Sequence, residues 1–143
     1  MDILFELAGP SMSDTLETGG STGVVTAKSS RRGPVLFNIF NIIATLVPFP
    51  LMVFWLGASI VLYAMNRHHP NPKVAYYIQW AAYRLYAIAG LAVPVATFFS
   101  VTLTPWLVYW AFAAIVMIPW SIYDLIRIRK DTWEDTVIQR SET

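Results

Sequence analysis

Arg84 is the side chain in this sequence best placed to do chemistry. It lies in Trp80-Ala-Ala-Tyr-Arg-Leu-Tyr86, about ten residues into a long apolar run. A guanidinium is always charged and offers five N–H donors in one plane. Arginine in the middle of a membrane helix costs about 2.5–3.5 kcal/mol on insertion scales, so it must be paired, reach water, or hold an anion. Asp124 is the only carboxylate in the same apolar block. If the chain folds back near residue 102, Arg84 faces a position about four residues from Asp124, roughly 6 Å along the axis. That is within reach of an arginine side chain, and an Arg84–Asp124 pair would join two helices. Two alternatives stand beside it. Arg84 can extend back to the headgroups, and Asp124 can sit in the headgroup layer balanced by Arg127 at i+3.

No other grouping suggests a reaction. His68 and His69 are the only histidines, and no Asp, Glu or Cys lies within ten residues of them. A catalytic zinc site takes three protein ligands, so no metal site is expected. HExxH, Walker A and GxGxxG patterns are absent from the sequence. Ser59, Ser100 and Ser121 have no histidine near them in sequence. The absence of cysteine excludes disulfides, thiolate metal sites and cysteine nucleophiles. No catalytic residue and no cofactor is therefore expected, and an enzyme is not the first reading.

The remaining candidates are contact residues. Tyr76, Tyr77, Trp80, Tyr83 and Tyr86 crowd one stretch, Trp106 and Trp110 open the next, and Trp120 lies near its end. Aromatic belts hold helices at headgroup level. Residues 76–86 occupy several faces of one helix, so some of them should touch protein, a bound lipid or a quinone. Ala75, Ala81, Ala82, Ala87, Ala89 and Gly90 recur in that helix, and Ala111, Ala113 and Ala114 in the next. Small residues let membrane helices approach closely, which predicts a tight hairpin or docking onto another membrane protein.

The elements that must position these residues follow from charge. Between Pro34 and Ile126 only Arg67, Lys73, Arg84 and Asp124 are charged. The chain is 56% hydrophobic and 13% charged, against about 25% charged in an ordinary soluble domain. A bilayer core takes about 20 apolar residues per helix. The expected fold is an all-α integral membrane protein with about three membrane segments, near 34–65, 74–99 and 105–126. Residues 1–33, rich in Ser, Thr and Gly, are expected to be disordered or weakly structured, with at most a short turn at Ile3–Leu7. Residues 127–143 form a charged tail that continues the last helix for a turn or two. The opening residues carry acid where a signal peptide needs base, so the first membrane segment is expected to drive insertion.

The first segment is the awkward one. As one straight helix it would be roughly 48 Å long, too long for one span and too short for two with a turn. Pro48 and Pro50 interrupt it near the middle. It can be an interfacial helix followed by a span, a kinked tilted span, or a re-entrant hairpin. Asn38 and Asn41, at i and i+3, share a face, which favours a helix lying at the interface. Basic residues set orientation. Arg67 and Lys73 mark one loop as cytoplasmic, and Arg127, Arg129 and Lys130 do the same for the C-terminus. Ser100–Thr104 carries no charge and belongs on the far side. Lys28, Arg31 and Arg32 join the cytoplasmic set only if the first segment enters and leaves on one side.

A net charge of +1 gives no field for nucleic acid. The leading expectation is an accessory, assembly or stabilising subunit of a larger membrane complex, multi-pass in a bacterial inner membrane. The alternatives are a homo-oligomeric small transporter or channel with Arg84 on its pathway, and a lipid- or quinone-handling enzyme.

Overall fold

The computed structural model describes residues 22–47, 49–99 and 102–139. Strand β1 (Thr22–Val25) leads into helices α1 (Ala27–Leu46), α2 (Leu51–Asn66), α3 (Pro72–Phe98) and α4 (Leu103–Lys130), and strand β2 (Thr136–Gln139) follows. By length and composition α3 and α4 are each able to cross a membrane. The expected turn at Ile3–Leu7 lies outside the described residues.

Local chemistry sets the helix ends. Thr26 caps α1, its side chain accepting from the Ser29 amide at 3.3 Å. Asn71 caps α3 through the Lys73 amide at 3.1 Å, with Pro72 in the first turn, where a missing N–H costs nothing. Arg127, Arg129 and Lys130 occupy the last turn of α4, matching the negative end of its dipole.

Two features differ from the sequence reading, and one open question is decided. Helix α1 starts at Ala27 and carries Pro34 inside it, so order begins well before residue 34. Thr26 starts that helix upstream of the proline. Strands β1 and β2 pair antiparallel, Val24 opposite Val137, so the two flanks are joined and the architecture is not purely helical. Two short strands gain from mutual pairing what neither composition suggests alone. The segment near 34–65 is two helices, α1 and α2, as the interfacial-helix and hairpin readings both have it.

Side-chain contacts give the helix directions. A Cβ on Gly33 would meet Ile78 at 3.4 Å, Val74 at 3.8 Å and Asn66 at 3.9 Å. The Asn41 amide donates to the Ala81 carbonyl at 3.4 Å, so α1 runs parallel to α3. Ser59 Oγ donates to Tyr86 Oη at 3.4 Å, and Tyr63 lies beside Tyr83, so α2 runs back against α3. Trp110 Nε1 donates to the Thr45 carbonyl at 2.7 Å, tying the end of α1 to α4. Helices α1 and α2 therefore form a hairpin that leaves and returns at one end of the α3–α4 pair. The α2–α3 loop, the start of α1, the end of α4 and the small sheet share that end, which gathers all three basic clusters.

Asn38 and Asn41 do not face an interface. Both are fully buried. Asn38 donates to the Pro34 carbonyl at 3.0 Å, and Asn41 Oδ1 accepts from Trp55 Nε1 at 2.7 Å. Their shared face points into the bundle, where side-chain amides hydrogen-bond across helices. Around them Phe37, Ile78, Ala81, Leu85 and Met117 form the core.

Candidate functional site

Helices α3 and α4 run antiparallel, and their basic ends enclose a cleft of about 320 Å³. Arg84 and Asp124 form an ion pair across it through Nη2 and Oδ2. The Asp124 side chain is 4% exposed and that of Arg84 14%, so the carboxylate is sealed while the guanidinium borders the opening. The Arg84 guanidinium also lies 5.3 Å from the Trp120 ring centroid, a geometry that favours a cation over the ring face. Two partners thus hold Arg84 in place.

Arg127 forms the outer wall. Its guanidinium lies 5.6 Å from the Tyr77 ring and 5.8 Å from the Tyr123 ring. Among the described residues no carboxylate pairs with it. Two guanidiniums and one carboxylate leave the cleft one positive charge in excess. The sequence reading treats Arg127 as a topology marker and as a possible i+3 partner of Asp124, not as part of a site with Arg84. The structure instead pairs Asp124 with Arg84 and leaves Arg127, on the same face, beside them.

A second polar link closes the same end. Lys73 Nζ contacts Asp131 Oδ1 at 2.7 Å and the Thr132 carbonyl, and Tyr77 Oη donates to Asp131 Oδ2 at 2.9 Å. The Lys73 ammonium holds the Asp131 carboxyl below the usual carboxylate range, and Tyr77 adds to this against the opposing effect of burial. This pair was legible but missed, because folding the chain about residue 102 puts Lys73 opposite position 131. Trp133 seals it, lying 6.1 Å from Tyr77 and donating to the Ile128 carbonyl at 2.9 Å.

The aromatic candidates separate into three groups. Tyr76, Tyr77, Trp80 and Trp120 line the cleft. Tyr83 and Tyr86 face α2, through Tyr63 and Ser59 respectively. Trp106 and Trp110 lie at the opposite end, in an apolar cavity of about 510 Å³ bounded also by Met52, Leu56 and Ala92. The end of the α1–α2 hairpin closes it through Phe49 and Val53, and the start of α4 through Leu103 and Leu107. Two of its donors are already used: Trp110 Nε1 by the Thr45 carbonyl, and Tyr109 Oη by the Ile88 carbonyl at 2.6 Å. It offers shape without a polar handle.

His68 and His69 play a local part. His69 Nδ1 accepts from the Asn71 amide at 3.1 Å, shaping the loop that starts α3. Chemically, the cleft can bind an anion or a headgroup. The chain matches no family model, no curated protein and no solved structure, so its function is argued from this geometry.

Proposed function

We propose that this chain is a multi-pass membrane protein that serves as an accessory or assembly subunit of a larger membrane complex. The observation that carries the membrane reading is outward-facing apolar surface. Only 22% and 17% of the apolar windows of α3 and α4 are buried inside the protein. Phe54, Val93, Val108 and Ile115 all point outward. A soluble protein would expose such surface to water at about 25 cal/mol per Å², whereas lipid or a partner helix covers it without that cost.

Orientation follows from charge. With all three basic clusters at one end, the positive-inside rule puts that end, including β2 and the C-terminal flank, in the cytoplasm. Helices α3 and α4 then cross, and α1 and α2 enter from the cytoplasmic face and return. The subunit reading is supported by how the interior polar groups are used. Asn41, Trp55, Arg84 and Asp124 bond to one another or to backbone, so they hold the bundle together and leave the apolar exterior for contact. A homo-oligomeric transporter with Arg84 on its pathway has less support, because Asp124 and Trp120 already occupy that guanidinium.

Blue-native electrophoresis of the protein at native expression tests the reading. Migration in a large heteromeric band is expected. A discrete small ring of identical chains would replace this reading with the transporter one.

A further inference from the structure

We propose that the α3–α4 cleft binds the phosphate of one anionic phospholipid, with an acyl chain lying along α4. This rests on the membrane placement above but not on the subunit role. Three independent features converge on it.

The first is charge. Arg84 is neutralised by Asp124, while Arg127 has no carboxylate partner among the described residues and meets the Tyr76 hydroxyl and the Tyr77 and Tyr123 rings. The two tyrosine faces orient the guanidinium, the Tyr76 hydroxyl takes one of its N–H donors, and the others are left for a ligand oxygen. Planar forks of this kind match phosphate oxygens two at a time. The second is shape. The cleft shares Trp120 and Tyr123 with an apolar groove of about 460 Å³ along α4, floored by Ile115, Val116 and Pro119. A ligand spanning both has a charged head and a hydrocarbon tail. The third is depth. Arg127 lies within one turn of the basic end of α4, where phosphates of the cytoplasmic leaflet run once that end is cytoplasmic.

The same features select against a zwitterionic head. A choline or ethanolamine head would bring a second cation into a cleft that already holds one positive charge in excess, and the Trp120, Tyr77 and Tyr123 rings already face guanidiniums. The only carboxylate in the cleft, Asp124, is buried and engaged by Arg84. Anionic lipid with an uncharged head, such as phosphatidylglycerol, fits the single positive excess.

Native mass spectrometry of the full chain, released from phosphatidylcholine nanodiscs containing phosphatidylglycerol, tests this. One phosphatidylglycerol should be retained per chain, at least about tenfold over phosphatidylcholine after correction for abundance, given the strength of charge-assisted hydrogen bonds. Arg127→Gln should remove that preference. Arg127→Lys should keep part of it, since charge survives and the fork does not. Arg129→Gln, in the same turn but outside the cleft, should leave it intact. Millimolar inorganic phosphate should not displace the lipid. Equal retention of phosphatidylcholine, or an unchanged Arg127→Gln variant, would overturn the proposal. Displacement by inorganic phosphate would reassign the cleft to a soluble anion. If a cysteine at Tyr123 is shielded from thiol reagents in native membranes but not in phosphatidylglycerol vesicles, a protein occupies the cleft and the lipid assignment is wrong. Failure of the chain to enter nanodiscs at all would strike the membrane placement itself.

Discussion

Removing either partner of the Arg84–Asp124 pair should have unequal consequences, and the inequality follows from geometry. Arg84→Ala leaves Asp124, a short side chain 4% exposed, without another side-chain partner among the described residues. Breaking a buried pair in this way costs about 3–5 kcal/mol in soluble proteins, and polar couplings between membrane helices average about 0.6 with a maximum near 1.7. A value of about 3 kcal/mol is expected, because part of the loss is an uncompensated charge and not the coupling itself. Asp124→Ala leaves Arg84 stacked on Trp120 at 5.3 Å, bordering an open cleft. That contact is worth about 0.5–1 kcal/mol, and the long side chain can turn toward water. The loss should be smaller, about 1–1.5 kcal/mol. The double variant should cost about 1–2 kcal/mol less than the sum of the two. The folded fraction against SDS mole fraction in mixed micelles, read by circular dichroism, gives all three values. Equal single costs that add without remainder would refute the reasoning, and so would Asp124→Ala being the more damaging change.

Cysteines at Ser29, Asn71 and Glu134 should label from one side of the membrane with an impermeant thiol reagent, and a cysteine at Thr102 from the other; labelling of Ser29 together with Thr102 would mean the first segment crosses once. Trp55→Phe should destabilise by about 1 kcal/mol, the net worth of a hydrogen bond whose buried acceptor is left unmade, measured in the same SDS titration, and no loss would show that Asn41 re-pairs. Gly33→Leu should cost about 1–3 kcal/mol by overpacking against Ile78 and Val74, while Gly33→Ala should be mild; equal effects would mean α1 and α3 are not in close contact there. Because the folded-state Asp131 pKa is depressed by Lys73, its contribution is complete above the ordinary carboxylate range and is lost as pH falls through the lowered value. A fluorine label on Trp133 should report that release on acidification. Lys73→Met should move the release to higher pH, and an unshifted midpoint would remove Lys73 as the cause.

Much of the helical framework was legible because bilayer-length apolar runs have one physical solution. Every backbone N–H and C=O in such a run must be satisfied within the segment, so a run near 74–99 or 105–126 reads as helix whatever its neighbours do. The observed α3 and α4 lie within a few residues of those limits. The register between them was legible too, since a short uncharged turn near residue 102 fixes which positions face each other. That same symmetry points to Lys73 opposite position 131, a contact readable in principle but hidden because Asp131 sits in a charged tail without a hydrophobic signal.

Other features depended on distant parts of the chain. The Asn38 and Asn41 face is polar in sequence whether it meets headgroups or protein, and only the packing of α1 against α2 and α3 turned it inward. Strands β1 and β2 are four residues each and more than a hundred positions apart, so neither has local reason to exist without the other. Their pairing also joins both flanks of the helical block at one end, which a hydropathy pattern cannot express. The cleft is the same kind of feature. Sequence established that Arg84 must be paired, reach water or hold an anion, because charge in an apolar run carries a large desolvation cost; it left open which. It did not establish that Arg127 would face the same opening with its charge unmatched by a carboxylate. Charge, hydropathy and turn chemistry act within a few residues and were determined by the sequence alone. Which unsatisfied groups meet depends on helix rotation and docking across the bundle, and only the tertiary structure decided that.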